Sequence, residues 1–136
     1  MKATARYEFD AAHRLADPSL SDEENQATYG PCARLHGHTY RLEISLRGTR
    51  LRQGMLIDFN ILDSLVNEHV VQHTDHAFLN DLPYFADHPT TAEEIAQWIW
   101  ITLEPLVGKH GVDLDEVTVF ESPRYSATVR REEYSE

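Results

Sequence analysis

Apolar and polar residues alternate from residue 3 to residue 13. Ala3, Ala5, Tyr7, Phe9, Ala11 and His13 fall on one face, and Lys2, Thr4, Arg6, Glu8 and Asp10 on the other. A period of two predicts a half-buried strand. A second alternation runs from Thr39 to Arg47, with Tyr40, Leu42, Ile44 and Leu46 on the apolar side; its strand begins at or just before His38. Between them, residues 16–31 carry no period and are rich in Asp, Pro, Ser, Asn and Gly, which predicts a loop with one helical turn. The spacing then becomes helical. Phe59, Leu62, Leu65, Val66 and Val70 follow Asp58 as N-cap, and this helix should fray near His73. After a connecting segment marked by Pro83 and Pro89, Thr91 and Glu94 have the spacing of a capping box. They open a second helix whose buried face carries Ile95, Trp98, Ile99, Thr102 and Leu106, ended by Gly108 and Gly111. Val117 to Glu121 and Tyr125 to Arg131 alternate as two more strands, with a frayed acidic tail behind them.

The order is β-β-α-α-β-β. Helices grouped between strand pairs, rather than alternating with strands, predict an α+β fold: a four-stranded antiparallel sheet with both helices on its apolar face. The other face carries Arg6, Glu8, Arg41, Glu43 and Arg47. Such a sheet leaves two open edges, and joining edges between subunits is one way to close them. A homo-oligomer is expected.

Composition narrows the function. The length of 136 residues suits one domain, 1–136. A formal net charge of −11 argues against nucleic acid or an anionic membrane as partner. Cys32 is the one cysteine, so no intrachain disulfide forms and a reducing compartment fits. No apolar run approaches the ~20 residues that span a bilayer, and the N-terminus lacks a signal-peptide core. A soluble cytoplasmic protein is expected.

The chemistry gathers around Cys32-Ala33-Arg34-Leu35-His36-Gly37-His38. His36 and His38 project from the apolar face of the second strand, and Gly37 leaves room for a bulky group against the backbone. His13 ends the first strand on the equivalent face. Three imidazoles on rigid elements make the ligand set of an open zinc site, with one position left for water or substrate. Two alternatives stand beside it: polar strand ends without a role, or Cys32 as fourth ligand of a closed, structural Cys-His₃ zinc. Glu121 falls on the core side with Val117 and Val119, so it needs an internal cation or a ligand with two parallel N–H donors. Asp75 and His76 adjoin in a polar loop and form either a solvated turn or an acid–base pair. His69 and His73, one helical turn apart, are read as surface decoration.

These residues also carry a resemblance. Phe9-Asp10-Ala11-Ala12-His13, the Cys32–His38 stretch, Asp58-Phe59, Asp75-His76 with Leu79-Asn80, Pro89-Thr90-Thr91-Ala92-Glu93-Glu94 and Glu121 resemble, in order, the 6-pyruvoyltetrahydropterin synthase/6-carboxytetrahydropterin synthase family. The resemblance implies the tunnelling fold, assembled as a trimer or dimer of trimers. It also implies zinc on His13, His36 and His38, with 7,8-dihydroneopterin triphosphate as substrate. Cys32 becomes a thiolate base, Glu121 holds the pterin ring, and Asp75 with His76 handles protons in a neighbour's site. Arg14, Arg34 and Arg124 are candidates for the phosphates. The three residues between Cys32 and His36 resemble the carboxy-forming branch, which feeds queuosine-type deazapurine synthesis; the pyruvoyl-forming branch typically has five. The loop Leu20-Ser21-Asp22-Glu23-Glu24-Asn25 is more similar to pyruvoyl-forming members. The pyruvoyl-forming lyase and a non-catalytic pterin- or purine-binding protein are therefore the alternatives.

Overall fold

The computed structural model describes residues 1–134. The first alternation becomes β1, Lys2–His13, and the second becomes β2, His36–Arg47. They pair antiparallel without a break, from Lys2 opposite Arg47 to His13 opposite His36. Since side chains alternate across a strand, this register stacks Phe9, Ala11 and His13 beside Tyr40, His38 and His36 on one face. Tyr40, Leu42, Ile44 and Leu46 are fully buried there. On the opposite face, Arg6 meets Glu43 at 2.7 Å and Arg41 meets Glu8 at 3.3 Å. Opposed charges across the pair keep that face ordered although it is polar.

The segment expected to be a loop folds further than its sequence suggested. Residues Asp22–Tyr29 form α1, a full capping box closed between Ser21 and Glu24. One tight turn, Gly30–Ala33, then delivers Cys32. Only Asn25 of α1 is buried, and its side chain bonds the backbone of Asp17 and Leu20. The helix is held by polar anchoring, so it leaves no apolar stripe to read.

Asp58 caps α2, Phe59–Val66, by accepting from the Asn60 amide. The helix runs on through a π turn, Asn67–Val71, into α3, Gln72–Thr74. The buried positions explain the wide turn. Leu62, Val66, Val70 and Thr74 recur every fourth residue and are all fully buried. In a regular α-helix each such step drifts by about 40°; a wider turn returns the stripe to the core.

Residues Ala77–Phe78 then form a short β3, parallel to β1 at Ala11 and Ala12. Thr91 caps α4, Ala92–Gly108, by accepting from the Glu94 amide. The return half of the expected box is absent, because the Glu94 carboxylate accepts from the Tyr84 hydroxyl instead. The helix buries Ile95 and Ile99 as expected, together with Ala92, Ala96, Trp100, Leu103 and Val107. Trp98, Thr102 and Leu106 sit at the flank, the small Ala92 and Ala96 having turned the stripe towards the sheet.

The last strands are β4, Asp113–Ser122, and β5, Tyr125–Arg130. The sheet is therefore five-stranded in the order β3-β1-β2-β4-β5, antiparallel except for β3. The fifth strand corrects the four-stranded expectation; two residues give no periodic signal. Beyond β5 the chain is packed rather than frayed. Arg131 donates to the Leu114 carbonyl, and Tyr134 stacks on Trp100. The final residues of the acidic tail, 135–136, lie outside the described residues. Among the described residues, β3 covers only the His13 end of β1's outer edge, leaving most of that edge without a strand partner. No described helix is long and apolar enough to cross a membrane.

Candidate active site

At the His13 end of the sheet the chain folds back to close over β1. Arg14's amide donates to the Asn80 side chain, which donates in return to the Arg14 carbonyl; the Thr90 hydroxyl donates to the same carbonyl. This staple brings Thr90's own carbonyl to His13, whose Nδ1 lies 2.9 Å away. A carbonyl only accepts, so Nδ1 carries the proton and Nε2 presents its lone pair. His36 is set in the same way, its Nδ1 lying 2.7 Å from the Arg34 carbonyl. The opposing Nε2 of each ring is free to bind a metal, an orientation typical of metal-ligating histidines.

The three rings converge. His13 and His36 stand 4.5 Å apart between centroids, His36 and His38 4.9 Å, and His13 and His38 5.1 Å. One nitrogen from each lies within 4.8 Å of the others, a group able to hold a metal ion. Cys32 is exposed and does not belong to that group. This geometry disfavours the closed Cys-His₃ alternative. Gly37 has a different use from the one expected. A Cβ there would meet the Ala11 carbonyl at 3.3 Å, so it is the β1 backbone, rather than a ligand, that fills the space.

Burial tunes the imidazoles. His13 is fully buried, and desolvation lowers its pKa to about 4. His38 is also lowered, again mainly by burial, against the pull of the Glu121 carboxylate. Glu121 Oε1 stands 3.6 Å from His38 Nε2. With His38 neutral, the contact is a carboxylate beside an imidazole rather than an ion pair. Both rings are thus in the neutral form that a metal requires.

A pH dependence follows for the metal-free protein. Below pH 6.5 the unfolded chain takes up a proton that folded His13 refuses until about pH 4. Stability is therefore full above 6.5 and falls as pH drops towards 4. The expected loss between pH 7 and pH 5 is about 2 kcal/mol, read by urea unfolding. It should shrink in His13→Gln.

Asp75 and His76 lie at the same end of the sheet but on its outer side. His76 lines that surface with Asp10, Ala12, Gly37, Thr39 and part of His38. Asp75 Oδ1 accepts from the Asp10 amide at 2.9 Å, and its other oxygen lies 3.0 Å from His76 Nδ1. The Asp10 amide first, then His76, lower the Asp75 pKa. The His76 amide in turn donates to the Asp10 carbonyl, and its backbone sits at φ 59°, unusual for a residue with a Cβ. The pair is thus fixed to its own β1, with the imidazole 80% exposed and pointing outward. It does not join the three histidines within one chain. Of the cation candidates, Arg34 and Arg124 are exposed, the latter over the Tyr125 ring at 5.3 Å, and Arg14 is half-buried. His69 and His73 belong to no metal-binding group among the described residues.

Three residues contribute in ways the sequence does not show, although Asn80 and Thr90 stand in the motifs that carry the resemblance. Thr90 and Asn80 act through bonds to residues 66 to 77 positions away, and Tyr40 looked like one more core residue of an alternating strand.

Comparison with known proteins places the chain. The family model described as 6-pyruvoyl tetrahydropterin synthase matches residues 2–132. The chain is 37% identical over 125 residues to 6-pyruvoyl tetrahydrobiopterin synthase of Drosophila melanogaster, covering 89% of this chain and 74% of the relative. It is 33% identical over 131 residues to 6-carboxy-5,6,7,8-tetrahydropterin synthase of Synechocystis sp., covering 88% and 92%. The structure of Caenorhabditis elegans 6-pyruvoyl tetrahydropterin synthase superposes with a TM-score of 0.88 at 30% identity, covering 96% of this chain and 94% of that one.

Proposed function

Because the chain belongs to the 6-pyruvoyl tetrahydropterin synthase family, we propose that it is a zinc-dependent 6-carboxy-5,6,7,8-tetrahydropterin synthase. Its substrates are 7,8-dihydroneopterin triphosphate and water, which supplies the second carboxylate oxygen, and its products are 6-carboxytetrahydropterin, acetaldehyde and triphosphate. The observation that carries the reading is the three-imidazole group, with Nδ1 of His13 and His36 tied to carbonyls and an exposed Cys32 beyond it.

In this reading His13, His36 and His38 hold zinc through three nitrogens. Zinc bound there supplies Lewis acidity to a substrate hydroxyl, making the adjacent C–H easier to deprotonate. Cys32 takes that proton as thiolate. Glu121 accepts from the pterin ring N–H and exocyclic amine, a bidentate match for a carboxylate. Asp75 and His76 return and remove protons in a neighbouring subunit's site, which their exposure and their place on the outer side of the sheet support. The open edge of β1 supports assembly into a trimer or dimer of trimers. Arg14, Arg34 and Arg124 are the cations nearest in kind to a triphosphate site.

The second reading is the pyruvoyl-forming lyase, using the same residues and substrate. The ordered α1 favours it, since that segment is the one similar to pyruvoyl-forming members, while the three-residue spacing from Cys32 to His36 favours the carboxy product. Incubating purified protein with 7,8-dihydroneopterin triphosphate decides between them by product mass: acetaldehyde with 6-carboxytetrahydropterin, or 6-pyruvoyltetrahydropterin without acetaldehyde. Neither product would sink the enzymatic reading.

Cys32→Ala separates base from ligand. It should keep its zinc and its pterin affinity while turnover drops by roughly 10²–10⁴, the usual worth of a positioned general base. Zinc lost together with activity would return Cys32 to the structural role.

A further inference from the structure

Among the described residues, three buried side-chain polar atoms have no hydrogen-bond partner: His13 Nε2, His38 Nε2 and the Tyr40 hydroxyl. They occur together. The Tyr40 ring stands edge-on to His13 at 5.9 Å and to His38 at 5.5 Å. The two imidazole nitrogens are accounted for by the metal that the group can hold. The phenol is not. It is fully buried, its ring already satisfied by stacking on Phe9 at 5.0 Å, so phenylalanine would fill the same space without burying an unpaired hydroxyl, which costs stability. Two half-buried tyrosines differ. Tyr7 donates to Asp63 at 2.8 Å and Tyr84 to Glu94 at 3.0 Å. Tyr40 alone of these three makes no such bond, and it is the one that touches the metal-binding rings.

We propose that the Tyr40 hydroxyl is a ligand-binding group, donating to a side-chain oxygen of the dihydropterin seated beside the three imidazoles. The inference rests on the pterin reading of this site and adds a residue that discriminates the substrate's side chain from its ring. The Glu121 carboxylate reaches the phenol through its charge but not through a hydrogen bond, so an oxygen brought by a ligand is what would match the donor. Ligands lacking that oxygen leave the donor unpaired and bind no better for its presence.

The test uses zinc-loaded protein and two probes, 7,8-dihydroneopterin, whose side chain carries hydroxyls, and 7,8-dihydropterin, which has no side chain. Tyr40→Phe should keep the native zinc content and a melting temperature at or above that of the native protein. It should bind 7,8-dihydroneopterin about tenfold more weakly, the worth of one hydrogen bond, and 7,8-dihydropterin unchanged. Tyr7→Phe serves as the contrast: a lower melting temperature, because Asp63 loses its donor, with both affinities unchanged. Equal affinities of Tyr40→Phe and native protein for 7,8-dihydroneopterin overturn the inference alone, as does an equal loss for both probes. Loss of zinc or a lower melting temperature makes Tyr40 a support for the imidazoles and likewise overturns it. A native protein that binds neither probe overturns the pterin reading itself.

Discussion

Replacing His13 with alanine should empty the site of metal and abolish turnover, and the same holds for His36 and His38. The expected size comes from what each ring does. In the proposed zinc site of three protein ligands and one open position, losing one ligand would leave a two-point site that does not hold zinc tightly. Loss of a residue that only hydrogen-bonds and orients a ligand costs about 10–100-fold in affinity, so the ligand itself should cost more than that. His13 should be the most severe of the three, because its Nδ1 also ties β1 to Thr90 and its ring is fully buried. Alanine there leaves a cavity as well as an unpaired carbonyl. Metal content by atomic absorption and turnover are the measurements. Full zinc occupancy in all three variants would refute the assignment.

The second large effect is a rescue. His76→Ala and Cys32→Ala should each be nearly inactive alone, yet regain activity when dissociated, mixed and reassembled. The reason is the placement of the two groups. The three histidines occupy the core face at one end of the sheet, whereas Asp75 and His76 are pinned to the Asp10 backbone on the outer side. A pair that stands outside its own chain's three-histidine group is free to serve a neighbour's. In a random equal mixture, roughly one site in four combines an intact Cys32 from one subunit with an intact His76 from the next. Activity near that fraction of native is the expected result. If hetero-oligomers are shown to form and no activity returns, the site lies within one chain.

What the sequence determined by itself is whatever repeats along the backbone or is closed by a near neighbour. The twelve-residue alternations of β1 and β2 placed His13, His36 and His38 on one face, because a strand's period is set by its own geometry and a core wants every second side chain. The caps at Asp58 and Thr91 were legible for the same local reason. The Ser21–Glu24 box offered an equal signal, but α1 buries only Asn25 and has no apolar stripe to confirm it. The rest was decided by chain closure. β3 exists only because Ala77 and Phe78 reach β1, and the π turn only because Val70 and Thr74 must both enter the core. Thr90 and Asn80 orient a site built from residues far away in sequence. The Tyr40 hydroxyl is the sharpest instance: the pattern requires a bulky ring at that position, and only the packed structure reveals that its oxygen has no partner within the described protein. Long-range bonds leave no period behind them, since their partners are chosen by three-dimensional proximity rather than by spacing along the chain.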